Sequence, residues 1–104
     1  MNSSTVETQV PTATHAQVSD DVLSIDLSDG RTISVPVAWY PRLSNGTTGE
    51  RDHWRLIGSG RGIHWPDLDE DISVDNLLAG KPSAESQTSF KRWLDERANQ
   101  KARD

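Results

Sequence analysis

The chain has 104 residues, 33% hydrophobic and 26% charged, with a net charge of −5, which bounds it to one domain with a thin core. It contains no cysteine, which excludes a disulfide framework and thiolate metal sites and suits a reducing cytoplasm. The acidic balance argues against generic binding to phosphate backbones. No apolar run approaches the roughly 20 residues that span a bilayer, and Met1-Asn2-Ser3-Ser4-Thr5 lacks the basic start and apolar stretch of a secretory signal. A cytoplasmic protein with no membrane partner is expected.

Residues 1–19 carry Thr, Ser, Gln, Val and Ala without a period and without Phe, Trp or Tyr. Such a stretch buries too little apolar surface to offset its ordering entropy, so it reads as a flexible tail. All four tryptophans, Trp39, Trp54, Trp65 and Trp93, lie beyond it. The folded unit is therefore expected to begin near Asp20.

Leu23, Ile25 and Leu27 alternate with Ser24, Asp26 and Ser28, the period of a strand with one buried face. The alternation resumes at Ile33 and Val35, after Asp29-Gly30. A two-residue type I′ turn at Asp29-Gly30 places the two apolar sets on opposite faces. A three-residue loop, Ser28-Asp29-Gly30, instead pairs Ile25 with Ile33 and Leu23 with Val35. Because a one-residue slip flips every side chain, the second register is preferred, with Gly30 left-handed beside a bulge. Pro36 ends the second strand, since it has no N–H for the ladder.

Residues 37–43 form a short irregular or helical connection over the sheet, and Ser44-Asn45-Gly46 is a turn. Thr47 or Thr48 caps a short helix with Glu50 near its start. Residues 53–57 read as a strand, followed by the loop Gly58-Ser59-Gly60-Arg61-Gly62. Residues 62–65 return as another strand, with Ile63 and Trp65 on one face and His64 on the other, and Pro66 stops it. Ser73 supplies the N-cap of a short helix that ends at Gly80. A longer helix over residues 84–102 aligns Phe90, Trp93, Leu94 and Ala98 in one apolar stripe, expected to pack on the sheet. On its surface Lys91 with Asp95 and Arg92 with Glu96 form four-apart pairs worth roughly 0.2–0.5 kcal/mol each. The fold class is α+β: a small antiparallel sheet of three to four strands with a β-hairpin, short helices and a longer C-terminal helix. The expected organisation is a tail over 1–19, an α+β domain over 20–80, and a linker with the C-terminal helix over 81–104, packed on or extending from the domain.

Three stretches carry a family resemblance. The first runs from Ile25 and Leu27 through Ser28-Asp29-Gly30-Arg31. The second is Gly62-Ile63-His64-Trp65-Pro66-Asp67-Leu68-Asp69-Glu70-Asp71-Ile72-Ser73-Val74, and the third is Leu77-Leu78-Ala79-Gly80. Over about residues 20–94 the chain resembles the bacterial family known as domain of unknown function 2442. That resemblance implies a small α+β fold and no particular reaction. Some members of that family carry a fused helix-turn-helix region, and others are encoded beside a second small protein in a pattern resembling toxin–antitoxin pairs. The few residues after the long helix leave no room for a complete helix-turn-helix domain, which favours a protein partner over DNA.

His64 with Asp67, Asp69, Glu70 and Asp71 has the residue types of a metal or acid–base site. The spacing matches neither the helical His-Glu-x-x-His pattern nor the calcium loop, so a solvated acidic loop leading to the helix at Ser73 is expected. The glycine loop at 58–62 is followed by a strand, unlike a phosphate cradle, which opens a helix. No catalytic, cofactor or metal residue is assigned, no cofactor is expected, and no oligomeric state follows. The tryptophans are expected mostly in the core; the candidate partner surface is His64, Trp65, Asp67, Asp69, Glu70, Asp71 and Trp93, with Trp65 and Trp93 singled out for partial exposure. Gly30, Pro66, Ser73 and Gly80 are structural. The function expected is a non-enzymatic protein-interaction module, antitoxin-like. The alternative is a nucleic-acid-binding regulator using Arg51, Arg55, Arg61 and the basic C-terminal residues Lys91, Arg92, Arg97, Lys101 and Arg103.

Overall fold

The computed structural model describes residues 10–103. The fold is α+β as expected, and the described residues form six strands in two antiparallel three-stranded sheets where one sheet of three to four strands was expected. Sheet one joins β1 (Ala13–Val18), β2 (Val22–Leu27) and β3 (Thr32–Pro36) in that order. Sheet two joins β4 (Arg55–Ile57), β5 (Gly62–Trp65) and β6 (Glu70–Ser73). Between the sheets lie a 3-10 turn at Val37–Trp39, α1 (Pro41–Ser44) and α2 (Thr48–Asp52). After β6 come α3 (Val74–Leu78) and the long α4 (Gln87–Arg103).

The β2–β3 hairpin takes the three-residue loop. Ile25 pairs with Ile33 and Leu23 with Val35, the Leu27 N–H donates to the Arg31 carbonyl at 2.8 Å, and Gly30 has φ 93°. Leu23, Ile25, Leu27 and Val35 are thereby buried on one face.

Residues 13–18, expected within the tail, are strand β1 paired to β2. The ordered domain therefore starts before Asp20, and residues 1–9 of the expected tail lie outside the described residues. A bulge between Ala13 and His15 adds one residue and breaks the period-2 pattern. The inward residues of β1 are Ala13 and Ala16, small enough to escape a search for apolar alternation.

Both sheets feed one core. Leu23 and Ile25 from the first meet Ile63, Trp65 and Ile72 from the second, with Tyr40, Leu43, Leu68, Val74 and Leu77 closing it. Each such aliphatic side chain contributes about 1.5–3 kcal/mol by burial. At the junction, Gly60 (φ 89°) lies so close to β1 that an added Cβ would stand 2.9 Å from the Ala13 carbonyl oxygen.

The helix ends follow their expected chemistry. The Thr47 hydroxyl accepts from the Glu50 N–H and the Glu50 carboxylate accepts from the Thr47 N–H, a capping box on α2. The Ser73 hydroxyl caps α3, and Gly80 (φ 70°) lies just past its end. Helix α4 starts at Gln87, not 84, because the Ser86 hydroxyl accepts from the Ser89 N–H at 3.1 Å. Its apolar stripe packs on the domain through Trp93, while Ala98 is exposed. The four-apart pairs Lys91–Asp95 and Arg92–Glu96 are not among the ion pairs of the described residues. The helix is held instead by Arg97, which reaches Glu50 at 2.9 Å. Among the described residues no helix is long and apolar enough to cross a membrane.

Candidate functional site

The acidic run does not form one loop. Pro66, Asp67, Leu68 and Asp69 make the four-residue connection of a β5–β6 hairpin in which Trp65 pairs with Glu70. Leu68 is fully buried at the centre of that connection and anchors it, which turns its exposed neighbours Asp67 and Asp69 outward. Asp69 holds a left-handed backbone (φ 52°), a conformation that Asp tolerates better than most residues. Beyond it the carboxylates alternate with the strand. Glu70 shares the inward face with Ile72, and Asp71 shares the outer face with its cross-strand partner His64.

The candidate residues consequently separate into three places. Asp67, Asp69 and Trp93 line one groove, together with Glu50, Glu96 and Arg97. Glu70 and Asp71 line a cavity on another side, beside Tyr40 and residues 81–84. His64 is half-buried and pairs through Nδ1 with Asp71. Trp65 belongs to neither surface. It is fully buried and its indole N–H donates to the Arg51 carbonyl at 3.0 Å, so the expectation of partial exposure there is corrected. Trp93 is likewise more buried than expected, at 9% exposure.

What covers Trp93 is charge. The Arg42 guanidinium lies 5.2 Å and that of Arg97 4.7 Å from the ring centroid, and Phe90 stacks against it at 5.7 Å. Arg42 forks onto Glu85, with its Nε at 2.9 Å from one oxygen, and donates to the Asp69 carbonyl at 3.1 Å. One arginine thus ties the acidic hairpin to the segment that leads into α4. The Arg97 pair and the capping N–H of Thr47 hold the Glu50 carboxyl down at about 2. The remaining groove carboxylates are less committed. Asp67 pairs with the exposed His53 at 2.6 Å, Asp69 stays 3.7 Å from Arg42 and 86% exposed, and Glu96 is exposed.

Two features escape sequence reasoning. Arg51 is buried: it donates to the Leu43 and Ser44 carbonyls at 2.8 and 2.9 Å and reaches Asp20 at 2.8 Å. It closes the end of α1 and is withdrawn from any surface, which a charged residue in a polar stretch does not announce. Glu70 is the second. Burial pushes its carboxyl up to about 7, against the opposing pull of Arg42. The only available signal for it is the pairing of β6, which its own charge hides. Among the described residues, no group of three or more His, Asp or Glu side chains is placed to hold a metal ion.

No curated protein matches the chain. Among solved structures, a protein of unknown function from Rhodospirillum rubrum ATCC 11170 is 27% identical with a TM-score of 0.64, over 76% of this chain and 98% of that one. An uncharacterized protein from Chromobacterium violaceum is 20% identical with a TM-score of 0.61, over 83% of this chain and 75% of that one, a likeness of fold alone. The family model described as protein of unknown function (DUF2442) matches residues 13–83, from the first residue of β1 to the linker before α4, and the chain belongs to that family.

Proposed function

We propose that the chain is a non-enzymatic protein-interaction module that docks a basic segment of a protein partner in the groove between the acidic hairpin and α4. The observation that carries this reading is the meeting of Asp67, Asp69 and Glu96 around Trp93, a pairing of residues far apart in sequence. Carboxylates at the rim attract Lys or Arg and raise the association rate. The net charge of −5 acts in the same direction over longer range. An antitoxin-like role, with a small protein encoded nearby as the partner, is the form of this reading that the family resemblance favours.

The nucleic-acid alternative has less support. Of the cations it invokes, Arg51 is buried and Arg97 is paired with Glu50, Arg55, Arg61, Lys91 and Arg92 are exposed on an acidic chain, and the side chains of Lys101 and Arg103 lie outside the described residues. Salt-dependent retardation of DNA or RNA in a gel would favour it. The partner reading is tested by co-expression with the product of the adjacent gene. A complex that forms with the wild type and is lost with Asp69→Lys/Glu96→Lys supports it. Absence of a complex with the wild type contradicts it.

A further inference from the structure

The inward face of β6 carries a carboxylate that no donor satisfies, and it adjoins a cavity. Glu70 stands opposite Trp65 in the ladder, so it leaves the sheet on the face buried by Ile63, Trp65 and Ile72. Beside it β6, Tyr40, Asn76 and residues 81–84 line a cavity of about 270 Å³ that opens to solvent. The cation acting on Glu70 is Arg42, whose donors are taken by Glu85 and by the carbonyls of Leu68 and Asp69. The Tyr40 hydroxyl donates elsewhere, to the Lys81 carbonyl at 3.2 Å. Among the described residues no hydrogen-bond donor reaches the Glu70 carboxyl. The carboxyl is half-buried and lines the cavity, so a donor that enters there meets it without competition from the chain.

We propose that this cavity binds a small organic cation, a primary ammonium or a guanidinium group, with Glu70 as its counter-ion. The site goes beyond the partner groove, with which it shares no lining residue. An ammonium or guanidinium brings the missing N–H donors and the missing charge together. Tyr40 supplies an aromatic wall and Asn76 a side-chain amide at the rim. Anions are disfavoured, because Glu85, Asp69 and Asp71 all act on Glu70 and Lys81 is the one cation in the lining. The volume lies below the roughly 300–1,000 Å³ of drug-sized pockets, which limits the ligand to about ten non-hydrogen atoms.

Binding draws on the ionised form of Glu70, so it couples to pH. The groups facing this carboxyl are Tyr40, Arg42, Asp69, Asp71 and Glu85, with Lys81 at the rim and His64 behind Asp71. With the carboxyl at about 7, affinity for the cation falls about tenfold between pH 8 and pH 6.

The test is a chemical-shift titration of the isotope-labelled chain with guanidinium chloride, n-butylammonium chloride and sodium butyrate, at constant ionic strength and millimolar ligand. The expected result is saturable shifts confined to residues 70–73, 76 and 81–84 with both cations and none with butyrate. Glu70→Gln keeps its dispersed spectrum and loses at least tenfold in affinity. Glu96→Gln, in the partner groove, binds as the wild type does, which keeps this site distinct from the docking reading. The pH arm is repeated in His64→Gln, which isolates the contribution of Glu70. Non-saturating shifts, equal affinity in Glu70→Gln, or binding of butyrate as well would overturn the proposal.

Discussion

The two sheets share strand number and antiparallel order but use polar side chains in opposite ways. In the first, polar groups close locally: Ser24 with Ser34 at 3.1 Å, Thr32 with Asp26 at 2.8 Å, and Arg31 with Asp29 at 2.9 Å. In the second, one hairpin sends its carboxylates in three directions. Asp67 and Asp69 go to the groove, Asp71 to His64, and Glu70 inward to the cavity. Satisfied local pairs stabilise a fold and present little to a ligand. Uncommitted carboxylates stabilise little, and they are where a partner or ligand gains most.

The largest expected effect lies where the sheets meet. Gly60→Ala combines a left-handed backbone with a Cβ at 2.9 Å from the Ala13 carbonyl, and it should cost about 2–4 kcal/mol in urea unfolding. Gly30→Ala meets nothing within 4 Å and bears only the backbone cost, about 1 kcal/mol. Equal losses at the two positions would dissolve the distinction between a junction and a local turn.

Next in size is Trp93→Ala, expected to remove about 2–3 kcal/mol. Its effect is regional. Amide exchange should accelerate along α4 while β2 and β5 keep their protection. Uniform acceleration would mean that the helix is an integral layer of the core.

Smallest are two carboxylates with opposite pH slopes. The Glu70 carboxyl is raised from 4.5 to about 7, so ionising it costs stability as pH climbs through that window. Glu70→Gln should therefore gain about 1–2 kcal/mol at pH 8, after allowance for solvent screening, and nothing at pH 4. The Glu50 carboxyl is lowered from 4.5 to about 2, so its contribution is present above 4.5 and is lost as pH falls towards 2. Glu50→Gln, whose amide still serves the capping box, should cost about 1 kcal/mol at pH 7. Thermal melts across pH 2–8 check both signs.

Much of the first sheet is legible in sequence, because Leu23, Ile25 and Leu27 alternate cleanly and only one loop length keeps Ile33 and Val35 on their face. The caps at Thr47 and Ser73 are legible because each hydroxyl and the backbone N–H that donates to it lie within one turn. Strand β1 is hidden by a bulge and by inward alanines. Strand β6 is hidden because three of its four residues are polar, and only Ile72 faces the core as an apolar residue. The groove residues Asp67, Asp69 and Trp93 are each visible as exposed acid or large aromatic. Their convergence depends on the Arg42 and Arg97 bridges, which span 43 and 47 residues and leave no local pattern. Trp65 misleads because an acidic run from Asp67 to Asp71 closely follows it, whereas its burial is set by pairing across the sheet.

Calorimetric titration of the adjacent gene product into the purified chain tests the docking reading most directly. Saturable heat with the wild type, and affinity at least tenfold weaker for Asp69→Lys/Glu96→Lys with an unchanged melting temperature, is the expected result. Equal affinity in the two proteins, or no heat with the wild type, would contradict a docking role for the acidic groove.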